Sequence, residues 1–232
     1  MKSLLTFLLM LIFHSLAAQP FPYPSIQPAA DNIIDFIPRG WIILDSAIGD
    51  LNKNNREDAA LVIQYKDSIS LINEAGDTIF TQPRILFIVF KEAGRGFILK
   101  EQSNSFIMLN DNQNMDDPYD DITITKGILN ISFRLFYSMG SWYITNTDYK
   151  FRYKEGTFVL IGADKYSLHR ASHDYTDLSC NFLTKDCIET KGNENEDKKP
   201  RIRRWRIKNT HFKTLKTFKT PFSFQVASGI YL

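Results

Sequence analysis

Between Arg84 and His169 the chain is interrupted at short intervals by glycine-bearing breaks: Gly94-Arg95-Gly96, Lys126-Gly127, Met139-Gly140 and Glu155-Gly156. The pieces between them alternate apolar with polar residues or concentrate β-branched and aromatic ones. Helices of ordinary length do not fit between such breaks, whereas strands of about 3–10 residues joined by tight turns do. Arg84-Ile85-Leu86-Phe87-Ile88-Val89-Phe90 is apolar after its first residue. That is the pattern of a strand covered on both faces, and it marks the expected centre of a sheet. Phe97–Leu99 and Phe106–Leu109 read as short strands after it, followed by Ile122–Thr125, Leu129–Tyr137, Trp142–Tyr153 and Thr157–His169. Lys150 to Gly162 carries a hairpin signal, two arms around Glu155-Gly156. The pattern predicts a mainly β, single domain built from an antiparallel meander, as a sandwich, a barrel or a partial propeller, with little helix. A complete propeller needs repeated blades, and no internal repeat is visible.

Ahead of the strands, Met1-Lys2 and the apolar run Leu4–Phe13, followed by small residues near Ala17-Ala18, have the form of a secretory signal peptide over residues 1–18. The run is about half the length needed to span a bilayer, and no later segment comes closer, so no transmembrane segment is expected. Residues 19–38 form a Pro-rich lead-in, in which four prolines prevent a regular element up to Ala30 and Asp31–Ile37 suits a short helix capped by Asp31. Residues 39–232 make the β-rich domain, for which 44% hydrophobic and 13% aromatic residues are ample. A secreted or periplasmic location follows. In an oxidising compartment, Cys180 and Cys187, separated by a stretch long enough to turn a hairpin, are expected to pair as a disulfide.

Asp50, Asn52, Asn54 and Asp58 stand at positions 1, 3, 5 and 9 of a tight loop. EF-hand loops use that spacing to wrap a hard cation in oxygen ligands, and Arg56, at position 7, would offer its backbone carbonyl. Asn55 replaces the turn glycine at position 6, a tolerable change because asparagine accepts left-handed backbone angles. Leu61 stands where a bidentate glutamate belongs, and the apolar run Ala59–Ile63 leaves the loop as a strand. Two carboxylates predict a weak calcium site, with a dissociation constant on the order of 0.1–1 mM. Without a cation, the same stretch reads as an Asn/Asp-rich hairpin loop whose side chains cap their own backbone.

A loop of this kind leading into a strand resembles the calcium loops of FG-GAP and VCBS-type secreted proteins over Gly49–Ile63. Together with Asp117-Pro118-Tyr119, Phe151-Arg152-Tyr153, Leu160-Ile161-Gly162 and Asn181-Phe182-Leu183-Thr184, it is also similar to a group of uncharacterised exported bacterial β proteins. The resemblance implies export, a single domain and a cation-stapled turn. It implies no reaction.

From Lys198 to Leu232 there are ten Lys and Arg and no Asp or Glu, whereas the rest of the chain is net acidic. This basic segment, residues 198–232, suits an anionic glycan or an acidic protein surface; nucleic acid is not expected for an exported chain. The alternation Arg201-Ile202-Arg203-Arg204-Trp205-Arg206 also suits an edge strand whose charges discourage aggregation. Familiar catalytic patterns are absent: no Gly-x-Ser-x-Gly elbow and no glycine-rich phosphate loop. His169 and His173 lack the glutamate of a zinc-protease helix. The sequence therefore points to an exported, non-catalytic binding or structural module. The alternative is a secreted glycan or peptide hydrolase drawing its carboxylates from Asp116, Asp117, Asp120 and Asp121.

Overall fold

The computed structural model describes residues 21–72, 76–208 and 213–232. The signal peptide read over residues 1–18 lies outside the described residues. The first half of the chain supplies β1 (Ala29–Ala30), β2 (Trp41–Gly49), β3 (Asp58–Tyr65), β4 (Ile69–Ile72), β5 (Thr78–Thr81), β6 (Arg84–Glu92) and β7 (Gly96–Ser103). Of these, β1, β7, β6, β3 and β2 lie side by side in that order, and β4 with β5 forms a small separate hairpin. The second half supplies β8 (Tyr119–Thr125), β9 (Ile128–Phe136), β10 (Tyr143–Lys154), β11 (Thr157–His169), β12 (Asp174–Asn181), β13 (Asp186–Asn193) and β14 (Arg201–Arg206). They form one seven-stranded meander in unbroken chain order. A last hairpin, β15 (Gln225–Ala227) and β16 (Ile230–Tyr231), closes the chain. The architecture is mainly β and antiparallel, with two large sheets and no closed barrel.

The tight turns follow from residues that accept positive φ. Lys126-Gly127 (φ 53 and 75) and Glu155-Gly156 (φ 50 and 84) are two-residue connections with both residues left-handed. That geometry matches the strand twist in a hairpin. Gly96, which opens β7, is crowded by β1: an added Cβ there would lie 2.3 Å from the Ala30 carbonyl oxygen.

The two sheets pack face to face. Ala60, Val62, Leu86, Ile88 and Phe90 from the five-stranded sheet share one core with Leu129, Ile131, Phe133, Tyr149, Phe151, Phe158 and Leu160 from the seven-stranded one. On the other face of the small sheet, Leu61, Ile63, Ile85, Phe87 and Val89 pack with Ile26, Phe36 and Trp41, so the lead-in is its lid. This is why Arg84–Phe90 is apolar at every position from Ile85. The inner face of the far half of the large sheet is covered by the C-terminal segment through Leu215, Phe218, Phe224, Val226 and Leu232.

Two local expectations are corrected. Phe106–Leu109 is not a strand; the chain bends there, and Phe106 drops fully buried among Phe133, Tyr149, Phe151 and Phe218. A pattern of four apolar residues cannot distinguish a strand from a plug. The helix is a single 3₁₀ turn, Ile33–Phe36, preceded by Asn32 rather than Asp31, because the Asp35 carboxylate accepts the Asn32 backbone N–H at 3.2 Å.

Candidate functional site

Loop 50–58 joins β2 to β3 and is wound by its own side chains. Asp50 accepts the N–H groups of Asn54 (3.1 Å) and Asn55 (2.8 Å); Asn52 Oδ1 accepts Asn54 N–H (3.0 Å), and Asn54 Oδ1 accepts Arg56 N–H (2.9 Å). Lys53 (φ 63) and Asn55 (φ 61) turn left-handed to bring those amides inward. Asp58 is the anchor. Fully buried, it accepts Leu51 N–H at 2.9 Å and Asn52 N–H at 3.3 Å, and across the sheet Lys91 N–H at 3.0 Å. Burial pushes its carboxyl above the ordinary range, and the three amide donors oppose that rise. Leu51 is inserted in the inter-sheet core, and Gly127 of the β8–β9 turn lies against the Asp50 carbonyl, where a Cβ would come within 3.3 Å.

An ionised carboxylate has about four lone-pair directions. Asp50 spends two on amides and Asp58 three, so both retain acceptor capacity beside the amide oxygens of Asn52 and Asn54. The donor set is all oxygen, which suits calcium. Capacity is unequal along the loop: Asp50 lies at the partly exposed rim and Asp58 at the buried base.

The acidic segment is divided by the fold. Asp117 is taken by Arg84, which is 4% exposed at the start of β6. Arg84 Nη1 donates to Asp117 Oδ1 at 2.7 Å and to the Met108 carbonyl at 2.9 Å, Nη2 donates to Asp117 Oδ2, and Nε donates to Gln64 at 3.1 Å. The pair ties the 104–118 connection to the small sheet. Asp116, Asp120 and Asp121 are exposed. At the β11–β12 turn, Ser172 Oγ lies 3.0 Å from His169 Nδ1 but donates to Asp174 at 2.7 Å. The serine sits between histidine and acid, whereas a nucleophilic triad needs the acid on the histidine. Side-chain hydrogen bonds from Asn193 and Ser172 hold Asp174 below the ordinary range.

At the opposite edge, β14 pairs with β13, and the basic segment meets the acidic body there: Arg203 with Glu189 at 3.3 Å, Arg206 with Asp186 at 3.5 Å. Trp205 donates its indole N–H to the Val226 carbonyl at 3.2 Å, which draws the C-terminal hairpin beside the strand. Between them runs an open groove of about 600 Å³ lined by Arg203, Arg204, Trp205, Lys208 and Gln225–Ser228. Arg201, Arg204 and Lys208 are exposed and form no ion pair with any described residue. Behind this edge, Cys180 and Cys187 are opposite one another in the β12–β13 register and joined as a disulfide, with Cα atoms 4.2 Å apart.

Profiles of known protein families, curated proteins and solved structures were compared with this chain, and none matches. Sequence reasoning located the loop and the basic strand but missed two parts of these sites. The Arg84–Asp117 tie had one signal, a lone arginine opening an apolar run. The groove had none, since its second wall is built by residues some twenty positions further on.

Proposed function

We propose that this chain acts outside the cytoplasm as a non-catalytic binding module. It holds an anionic partner along its basic edge, and the Asp50–Asp58 loop takes calcium weakly as a staple on the small sheet. The observation that carries this reading is the groove beside β14, where Arg204 and Lys208 form no ion pair with a described residue and Arg203 stacks over the face of Trp205. Unpaired guanidinium and ammonium groups on an open groove raise the local concentration of anions and accelerate their capture. The test is calorimetric titration with polyglutamate and with a uronate polysaccharide at low and high salt. Binding is expected to weaken with salt and to fall about tenfold in Arg204→Glu/Lys208→Glu. Binding indifferent to that double substitution overturns the reading.

For the loop, calcium at ten times a millimolar-range dissociation constant adds about 1.4 kcal/mol by mass action, a few degrees of melting temperature. Asp50→Ala is expected to abolish the shift. A wild-type midpoint unmoved by calcium against chelator leaves the loop as a self-capped turn.

A further inference from the structure

Antiparallel strands alternate between residue pairs that exchange backbone hydrogen bonds and pairs that do not. Ile207 N–H donates to the Lys185 carbonyl at 2.8 Å, and the β13–β14 register continues from there without a shift. That fixes the phase of the strand. Trp205, Arg203 and Arg201 turn their N–H and C=O groups toward β13, while Arg206, Arg204 and Ile202 turn theirs to the open side. No backbone hydrogen bond joins those three to another described residue. The edge is six residues, about 20 Å of strand.

Of the other outer strands of the two large sheets, β1 is only two residues long, and β2 and β8 engage each other, with Tyr119 O–H donating to Asp45 at 2.8 Å and Gly49 against Ile124. β14 therefore presents an open ladder with a groove alongside. We infer that β14 accepts an extended acidic peptide segment of a partner protein as an added antiparallel strand, which deepens and rests on the anionic-partner reading above.

Charge selects the occupant. A second copy of β14 would set arginines against arginines, and like charges directly opposite are destabilising. On the solvent face, Arg204 and Arg206 continue into Ile202, 50% exposed, beside Ile188, 38% exposed. In such a pairing, residues opposite Arg204, Arg206 and Ile202 share their face and point their own N–H groups at β14. The fitting segment carries acidic residues opposite the two arginines and an apolar residue opposite Ile202. An anionic polysaccharide has no peptide N–H to offer this ladder.

The probe is a labelled, end-blocked eight-residue peptide, Thr-Glu-Thr-Glu-Thr-Val-Thr-Thr, whose two glutamates meet Arg206 and Arg204 and whose valine meets Ile202 in antiparallel register, and a second version N-methylated at the glutamates. The wild-type chain is expected to bind the first by fluorescence anisotropy and to slow amide hydrogen exchange at Ile202, Arg204 and Arg206. The methylated version and the Arg204→Glu chain are each expected to bind about tenfold more weakly. If both peptides bind equally and uronate polymer competes, the edge takes anions without strand addition and the inference falls while the function reading stands. If neither peptide nor polymer binds, both fall.

Discussion

The two large sheets solve the same burial problem differently. In the small sheet, β3 and β6 are buried at seven consecutive positions each, because the lead-in covers one face and the large sheet the other. In the large sheet, β9 and β10 bury alternate residues over their central stretches and leave the intervening ones to solvent. One sheet is a filling and the other a wall. The difference teaches where polar chemistry can be placed: the groove and the exposed arginines of the basic segment belong to the wall, while the small sheet carries its charges at strand ends, margins and loops, as with Arg84 on Asp117, Lys100 on Glu92 and the Asp50–Asp58 loop.

The sharpest way to break this contrast is to truncate neighbouring residues. Phe87→Ala in β6 and Phe133→Ala in β9 are each expected to cost about 3–5 kcal/mol in denaturant unfolding. Their neighbours should diverge, with Leu86→Ala costing about 2–5 kcal/mol and the exposed Arg134→Ala within about 0.5 kcal/mol of wild type. Equal costs at Leu86 and Arg134 would erase the distinction between the sheets.

Next in size is the disulfide, which reinforces the part of the wall that lies beyond the small sheet. Replacing Cys180 and Cys187 together by serine is expected to lower stability by about 2–3 kcal/mol through the short loop it closes. The domain should still fold, because Phe182 and Phe224 continue to pack there. Complete unfolding of the double variant would show that the C-terminal cover contributes little.

The smallest effect concerns Glu101 on β7, 5% exposed, with Oε2 lacking a hydrogen-bond partner among the described residues. Burial raises its carboxyl above the ordinary 4.5, and Lys216 opposes that rise. The folded chain thus keeps this proton to a higher pH than the unfolded chain. Its contribution to stability is fully present below 4.5 and declines as pH climbs through the raised value. Glu101→Gln should flatten that decline in melting temperature against pH; an unchanged slope assigns it to other carboxylates.

The wall was the more legible of the two in the sequence. Thr157–His169 appears as a strand with the same limits, and the turns at Lys126-Gly127 and Glu155-Gly156 fall where the glycines placed them. Ile85–Phe90 was legible as doubly buried, yet nothing in it names its lid. That role falls to Ile26 and Phe36, in a stretch that reads as proline-rich connection, joined by Trp41 from the start of β2. Phe106 was misplaced for the same reason, since a residue that plugs a core from an irregular segment leaves no period. Of the candidate site, oxygen spacing gave the loop; the inward turn of Asp58 required the Lys91 amide on a strand 33 residues away.

The lid also sets a clock. Gln102 receives the Ile26 amide on its side-chain oxygen and returns a hydrogen bond to the Pro24 carbonyl, a contact spanning 76 residues for the first and 78 for the second. A chain emerging at about 5–20 residues per second makes the lead-in wait roughly 4–15 s for β7 to exist. Prolines at 22, 24 and 28 restrict φ and withhold three backbone donors, which disfavours helix and strand pairing during that delay. Ile63 waits uncovered about half as long, Phe87 and Val89 only briefly, and the lead-in is fastened only once the strands it covers exist.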